Sequence, residues 1–207
     1  TTYANYPNPD AAEVKLYPIA NDGGIKTMTT TKPDRKQVPQ KFTDDVAFSG
    51  KDLATTQNGT NRLLFVTPIL KEAVHLSGLA QITVKVASSK PAANLSVWLV
   101  ALPWTTATGT KLMDNVITRG WADPQNYRSL TKGVPLAPGK FYEMKFNLQP
   151  DDQIIPAGKQ IGLMIFSSDK EFTLWPKAGT EITVDLNGTV LTLPVVGGAG
   201  AFAKAVN

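Results

Sequence analysis

The stretch Gln81-Ile82-Thr83-Val84-Lys85-Val86 decides the fold class, because apolar and polar residues alternate along it without interruption. A repeat of two residues places the apolar side chains on one face of a β-strand and the polar side chains on the other. Residues 142–148 and 182–186 show the same alternation. The sequence therefore predicts β-strands that each have one buried and one solvated face.

The dipeptide Asn187-Gly188 lies between the alternating residues 182–186 and the β-rich residues 189–193. Asn-Gly favours the positive φ angles that a type I′ turn needs at both of its central positions. We therefore expect a hairpin here, with one strand on each side of the turn.

Two other runs, residues 95–102 and 161–166, are apolar at both odd and even positions. Strands of this kind are normally buried on both faces, whereas the outer face of a sandwich usually meets water. We expect a cover over these outer faces, supplied by the N-terminal arm, a long loop or a domain that this chain does not contain.

The organisation of the chain follows from these runs and from the turn residues between them. Residues 1–45 are polar and proline-rich and are expected to form an irregular N-terminal arm or linker. Residues 46–196 are expected to form an all-β, antiparallel jelly-roll sandwich, and the glycine-rich residues 197–207 a flexible tail. The one good helix start is Asp123-Pro124, an N-cap followed by proline, with at most two turns.

Composition excludes several classes of function. The 207 residues are 42% hydrophobic and 18% charged, which excludes a disordered chain, and no apolar run approaches the length of about 18 residues that spans a membrane. The net charge is +4, and the densest basic stretch, residues 32–36, is interrupted by Asp34, so no nucleic-acid partner is expected. The chain has no cysteine, which excludes a thiol nucleophile and suits the reducing cytoplasm.

Candidate catalytic residues are few. His75 is the only histidine, and Ser77 lies two residues away on the same side of an extended chain. A serine hydrolase needs a base beside its nucleophile, and two residues of one strand rarely reach that geometry. No Gly-x-Ser-x-Gly elbow occurs, so we predict no catalytic residue in this chain and interpret His75 as a half-exposed strand residue.

Two kinds of binding site remain as alternatives. Loop aspartates offer oxygen ligands to calcium, although the chain has no twelve-residue calcium loop, and we expect neither a metal nor a cofactor. These aspartates are Asp22, Asp44, Asp45, Asp151 and Asp152. Tryptophan rings that stack on sugars would make the chain a carbohydrate-binding module, with Trp98, Trp104, Trp121 and Trp175 as the candidates.

The stretch RGWADPQN, residues 119–126, resembles the RG-x-x-D-x-QN segment in the C-terminal domain of Xaa-Pro dipeptidyl-peptidases. Other stretches resemble pieces of the same domain in the same order. They are RLLFVTPIL (62–70), HLSG (75–78), PLAPGKFY (135–142), LQP (148–150), PAGKQ (156–160) and SSD (167–169). The resemblance runs from Tyr6 to Pro194, which is nearly the whole chain.

The resemblance implies a fold and a role. The family's parent proteins are serine peptidases that remove Xaa-Pro dipeptides, and their Ser, Asp and His belong to an α/β-hydrolase domain that precedes the C-terminal domain. None of the three therefore maps onto this chain. The C-terminal domain is a jelly roll similar to galactose-binding domains, and in the family it packs on the catalytic domain, which would cover the apolar outer faces of residues 95–102 and 161–166.

From this resemblance we expect the chain to dock on a catalytic domain of the same polypeptide and to shape access to it, with a second subunit as a further candidate partner. The candidate interdomain interface is a loop that carries Arg119, Trp121, Asp123 and Asn126. Arg119 offers a planar fork of donors, Trp121 is an anchor of the type enriched at interface centres, and Asp123 caps the short helix.

Overall fold

A computed structural model of the chain describes residues 5–20, 26–56 and 59–207. The described residues form twelve strands and two α-helices. The strands are β1 (Ala11–Ala20), β2 (Lys26–Thr29), β3 (Gln40–Thr43), β4 (Leu63–Val66), β5 (Val74–Gly78), β6 (Gln81–Ser88), β7 (Leu95–Leu102), β8 (Val116–Ala122), β9 (Phe141–Asn147), β10 (Asp151–Ile155), β11 (Gln160–Phe166) and β12 (Glu181–Val196). The helices are α1 (Gly50–Thr55) and α2 (Gly198–Val206), and single 3-10 turns span Leu112–Asp114 and Pro124–Asn126.

The strands hydrogen-bond into one large, mostly antiparallel sheet that curves nearly into a barrel. The strand order is β10-β5-β12-β1-β2-β4-β11-β7-β8, while β3 and β6 also pair with β12, and β9 pairs with β6. Strand β1 joins the two halves, because its residues 11–16 pair with β12 and its residues 17–20 pair with β2. Side chains from both halves share a single buried core.

The alternating patterns are confirmed. Residues Ile82, Val84 and Val86 of β6 are buried. Of the apolar residues that pair with them, Tyr142 and Met144 of β9 and Val184 and Leu191 of β12 are buried, and Phe146 of β9 is half-buried. Apolar side chains gain most by leaving water, so the face that carries them sets the register of each strand.

The expectation of an irregular arm and a flexible tail is wrong for much of both segments. Strands β1, β2 and β3 lie within residues 1–45, and β1 lies between β12 and β2 in the sheet. In the tail, α2 buries Phe202 and Ala205 against the core. The physical reason is pairing with distant parts of the chain, which supplies the hydrogen bonds and contacts that local sequence does not reveal.

The prediction of a hairpin at Asn187-Gly188 is also wrong, because strand β12 continues through both residues. The pairing of β12 with β6 shifts register between Asp185 and Val190, which marks a bulge rather than a turn. The Asn187 side chain is engaged elsewhere: its Oδ1 accepts the Gln37 N–H at 2.9 Å, and its Nδ2 donates to the Gln37 carbonyl at 3.1 Å. Asn187 thus joins β12 to the backbone of Gln37, which lies near the start of the chain.

The two doubly apolar strands, β7 and β11, are buried on both faces as expected. The outer residues Trp98, Val100, Met164 and Phe166 are each at most 2% exposed within this chain alone. The expectation that a catalytic domain covers them is therefore wrong. Helix α1 covers Trp98, since its Gly50 lies so close to the Trp98 ring that a Cβ there would be 2.3 Å from it.

Candidate docking surface around Arg119

Arg119 and Trp121 lie on strand β8, not on a loop as the sequence suggested. They pair with Trp98 and Ser96 of β7, so their side chains share the outer face of the sheet with Trp98. The loop begins at Asp123, whose Oδ1 accepts the Gln125 N–H at 2.9 Å and caps the short turn Pro124–Asn126. The sequence thus predicted the cap, but the helix is a single 3-10 turn.

Asn126 and Asp123 shape the loop that follows β8. The Asn126 Nδ2 donates to the Ser129 carbonyl at 2.8 Å, and Asn126 is half-buried. Asp123 is exposed. The four candidate interface residues therefore form one continuous segment at the end of β8, with Arg119 and Trp121 on the strand and Asp123 and Asn126 on the loop.

The Arg119 guanidinium lies among three aromatic rings. Its central carbon is 4.2 Å from the ring centre of Phe172 and 5.5 Å from the rings of Trp98 and Trp121. The Phe172 and Trp121 rings are themselves 5.6 Å apart. A cation held over several ring faces is attracted by their quadrupoles, and the attraction grows when water is excluded. This packing fixes the direction of Arg119.

Asp169 is the buried acid of this cluster and is fully shielded from solvent. Its Oδ1 accepts the Gly50 N–H at 3.4 Å, while Oδ2 has no hydrogen bond of good geometry within the described residues. Burial raises the pKa of Asp169, and the N–H groups of Gly50 and Glu171, the Trp121 indole and the Arg119 charge offset only part of that effect.

Three donors of the cluster also lack a hydrogen bond of good geometry within the described residues. They are the indole nitrogens of Trp98 and Trp121 and the Nη1 of Arg119. Buried polar groups without partners are rare in folded proteins, so a concentration of them marks a place that needs explanation. We name the set Arg119, Trp98, Trp121, Asp169 and Phe172 the Arg119 cluster.

The segment 172–175 covers this cluster and exposes large apolar side chains. Phe172 is 48% exposed, Leu174 91% and Trp175 58%. The side-chain amide of Asn94 donates to the Leu174 carbonyl, which ties the segment to the start of β7. The surface that reaches solvent here is therefore apolar, although the groups beneath it are polar.

His75 and Ser77 do meet an acid, but not in the arrangement of a nucleophile and its base. The Asp152 carboxylate binds both, with Oδ1 2.8 Å from His75 Nε2 and Oδ2 2.8 Å from Ser77 Oγ. The Ser77 hydroxyl donates a hydrogen bond to Asp152 and accepts one from the Asn8 N–H at 2.8 Å. We name His75, Ser77 and Asp152 the His75 network.

Among the calcium candidates, Asp44, Asp45 and Asp152 bind groups of the protein itself, whereas the buried Oδ2 of Asp151 has no hydrogen bond within the described residues. Asp44 accepts from the N–H and the hydroxyl of Ser168 at 2.8 Å each, and Asp45 accepts from the Ala47 N–H at 2.9 Å. Asp22 lies outside the described residues. Among the residues that the structure describes, no group of three His, Cys, Asp or Glu side chains is placed to hold a metal ion.

The four tryptophans do not form a sugar platform. Trp98 is buried beneath Gly50, and Trp121 packs on Arg119 and Phe172. Trp104 is half-buried, and Trp175 is the exposed one among these four. Stacking on a sugar needs an accessible ring face, so the carbohydrate-binding alternative has little structural support.

Sequence reasoning found Arg119 and Trp121 but missed Asp169 and Phe172. Asp169 belongs to the SSD stretch at 167–169, which enters the sequence analysis only through the family resemblance. Its role depends on β11 lying beside β7, a pairing that joins residues as distant in the sequence as Ser96 and Phe166. No local pattern in the sequence carries that information.

A family model described as the X-Pro dipeptidyl-peptidase C-terminal non-catalytic domain matches residues 1–204. A curated protein of Rhodopirellula baltica, named "Putative Xaa-Pro dipeptidyl-peptidase", is 50% identical over 201 residues, which are 96% of this chain and 32% of that protein. A protein of Bacillus anthracis with the same name is 31% identical over 93% of this chain and 31% of its own length. The chain thus spans about a third of the length of these relatives.

Solved structures share the fold at low sequence identity. An aminopeptidase from the marine sediment archaeon Thaumarchaeota archaeon matches 94% of this chain and 38% of its own, with a TM-score of 0.72 and 16% identity. An α-amino acid ester hydrolase matches 88% of this chain and 36% of its own, with a TM-score of 0.65 and 14% identity. No helix among the described residues is both long and apolar enough to cross a membrane.

Proposed function

The chain belongs to the family of X-Pro dipeptidyl-peptidase C-terminal non-catalytic domains, and from this membership we propose that it docks on a catalytic domain of the same polypeptide. That domain is a serine peptidase of the α/β-hydrolase fold, which removes Xaa-Pro dipeptides from peptide N-termini. The match over residues 1–204 carries the proposal, because the chain spans only about a third of its curated relatives.

The absence of a working catalytic pair in the described residues supports a non-catalytic role. In a serine hydrolase the nucleophile gives its proton to the imidazole, and an acid orients the imidazole from its other side. In the His75 network the Asp152 carboxylate lies between the two groups, and it is Asp152, not His75, that accepts the hydrogen bond of the Ser77 hydroxyl. Ser77 is fully buried, so a substrate carbonyl has no path to its oxygen.

We assign the candidate interface Arg119, Trp121, Asp123 and Asn126 to the side that faces the catalytic domain. This continuous segment brings a planar cation, an aromatic anchor and a fixed turn together at one strand end, where Phe172 packs on the cation and the anchor. Arginine and aromatic residues are enriched at interface centres. The finer fold belongs to the same proposal: the two halves of the sheet form a jelly roll similar to galactose-binding domains, and the domain works in the cytoplasm.

A peptidase assay tests the proposal. The complete polypeptide that contains this chain should hydrolyse an Xaa-Pro chromogenic substrate, and the chain alone should not. His75→Ala in the complete polypeptide should leave kcat/KM within about twofold, because His75 binds Asp152 and serves no reacting group. Turnover by the isolated chain, or loss of turnover in a folded His75→Ala protein, would contradict the proposal.

A further inference from the structure

Segment 172–175 places three large apolar side chains in solvent within four residues. Phe172, Leu174 and Trp175 are between 48% and 91% exposed. Single exposed apolar residues are ordinary, but a group of them on one segment marks a surface that meets another molecule. We propose that this segment is the docking element of the domain and that its occupant is an apolar surface of the preceding catalytic domain, an inference that rests on the proposed function.

The segment is held in a fixed shape, as a docking element requires. The N–H groups of Phe172 and Thr173 donate to the Asp169 carbonyl at 3.0 and 2.9 Å, and the Asp169 N–H donates to Thr173 Oγ1 at 2.9 Å. The Asn94 side chain holds the Leu174 carbonyl. A surface that is ordered before binding loses less conformational entropy when it binds.

The Arg119 cluster is the base of the element. Phe172 lies directly on the Arg119 guanidinium and beside the Trp121 ring, so one face of Phe172 is buried in the domain and the other faces solvent. Trp121 is half-buried beneath Phe172. Arg119 and Trp121 therefore position the element, while Leu174 and Trp175 make the new contact.

The occupant follows from the size of the relatives and from the chemistry of the segment. The chain spans about a third of its curated relatives and matches a domain described as C-terminal, so a larger part of the polypeptide precedes it. The exposed charged residues Lys170, Glu171 and Lys177 flank the apolar side chains. An apolar centre with a charged rim fits an apolar patch on a folded domain that has a polar border.

Hydroxyl-radical footprinting of the chain alone and of the complete polypeptide tests the inference. Labelling of Trp175 and Leu174 should fall at least about fivefold in the complete polypeptide, because interface centres exclude water. Met113 is the control, since it is 62% exposed and lies before β8, at the end of that strand opposite Trp121. Equal labelling of segment 172–175 in both proteins would overturn the inference.

A second copy of the chain is the competing occupant. If Trp175 is already protected in the chain alone, and the protection disappears on dilution, the segment binds another copy and the inference is wrong. If the complete polypeptide hydrolyses its substrate but segment 172–175 stays unprotected, only this inference fails. If the complete polypeptide shows no hydrolysis, the proposed function fails first, so the two failures are distinguishable.

A double variant, Leu174→Ser with Trp175→Ser, provides an independent readout. The chain alone should melt as the wild type does, because both side chains are exposed. In the complete polypeptide the variant should restore labelling of Phe172 to the level seen in the chain alone. Ile69→Ser is the matched control, because Ile69 is 62% exposed outside the segment and should change neither measurement. Retained protection of Phe172 in the double variant would contradict the inference.

Discussion

The Arg119 cluster and the His75 network are both built on paired strands, but their polar groups are satisfied to different degrees. In the His75 network both oxygens of Asp152 accept hydrogen bonds from the chain. In the Arg119 cluster, among the described residues, the Asp169 Oδ2 and the indole nitrogen of Trp121 lack a hydrogen bond of good geometry. The His75 network holds its strands together by hydrogen bonds, whereas the Arg119 cluster depends more on the packing of aromatic rings over the guanidinium.

The largest expected loss of stability is for Gly50→Ala, since Gly50 packs on the Trp98 ring of the Arg119 cluster. The new Cβ would lie 2.3 Å from the Trp98 ring, so either α1 or the indole must move. Overpacking of a buried site costs about 1–3 kcal/mol and sometimes more, and we expect the upper part of that range in urea melts of the chain.

Gly200→Ala is the matched control for that substitution. Gly200 lies in α2 with nothing within 4 Å of a new Cβ, and alanine favours helix, so stability should stay equal or rise slightly. If the Gly50→Ala protein is as stable as the control, α1 is not tightly packed on Trp98. The Arg119 cluster would then not depend on close packing in the way that distinguishes it from the His75 network.

A smaller effect is expected in the His75 network for Ser77→Ala. The change leaves the half-buried Asn8 N–H without its Ser77 acceptor and removes one donor from the Asp152 carboxylate, at a cost of about 1–2 kcal/mol. His75→Ala should cost less, since His75 is partly exposed and water can replace its contact with Asp152. Urea melts of both variants measure the loss in unfolding free energy for each. A larger loss for His75→Ala than for Ser77→Ala would contradict this prediction, because it would mean that the imidazole contributes more to the network than the hydroxyl.

The pH dependence of stability sharpens the comparison further. Burial raises the pKa of Asp169. The stability that its protonated form contributes is therefore fully present below the pKa of the unfolded chain, about 3.9, and is lost as pH rises through the pKa of the folded protein. The stability of the wild type relative to Asp169→Asn should therefore fall as pH rises from about 4 to 7. Urea melts across this range measure the slope.

Asp52 supplies the opposite control. The N–H and the hydroxyl of Ser49 lower the pKa of Asp52, so its contribution is present above the unfolded pKa and is lost as pH falls through the folded pKa. The stability of the wild type relative to Asp52→Asn should therefore rise with pH below about pH 4 and then stay level from about 4 to 7, where the stability relative to Asp169→Asn falls. A level or rising curve for Asp169→Asn between about pH 4 and 7 would show that Asp169 is not in a desolvated site.

The sequence predicted strands where the pattern is local and missed structure that depends on distant partners. The alternation of Ile82, Val84 and Val86 identified β6 because burial of one face leaves a period of two in the sequence. The local pattern of β1 predicts an irregular arm, because its partner β12 lies about 180 residues away. The same limit applies to the Asn187–Gln37 contact, which replaced the expected hairpin with a bulge.

In the candidate site, too, the sequence identifies residues with a local signal and misses residues that distant strands bring into contact. Arg119 and Trp121 stood out as a cation and an aromatic anchor around a glycine, and the structure places both on one face of β8. Gly120 faces the other way, where a Cβ would lie 2.7 Å from Leu148, so its small size serves packing rather than access to a partner. The contacts with Asp169 and Phe172 exist only because the strand order joins β7 to β11.

Trp121→Ala, introduced into both the chain alone and the complete polypeptide, tests the central claim most directly. Urea-dependent hydrogen exchange of the β7 and β8 amides reports the unfolding free energy of this domain in each protein. If the Arg119 cluster supports docking, the loss should be about 2 kcal/mol larger in the complete polypeptide, the scale of an interface hot spot. Equal losses in the two proteins would assign Trp121 to the local packing of this domain and contradict the claim.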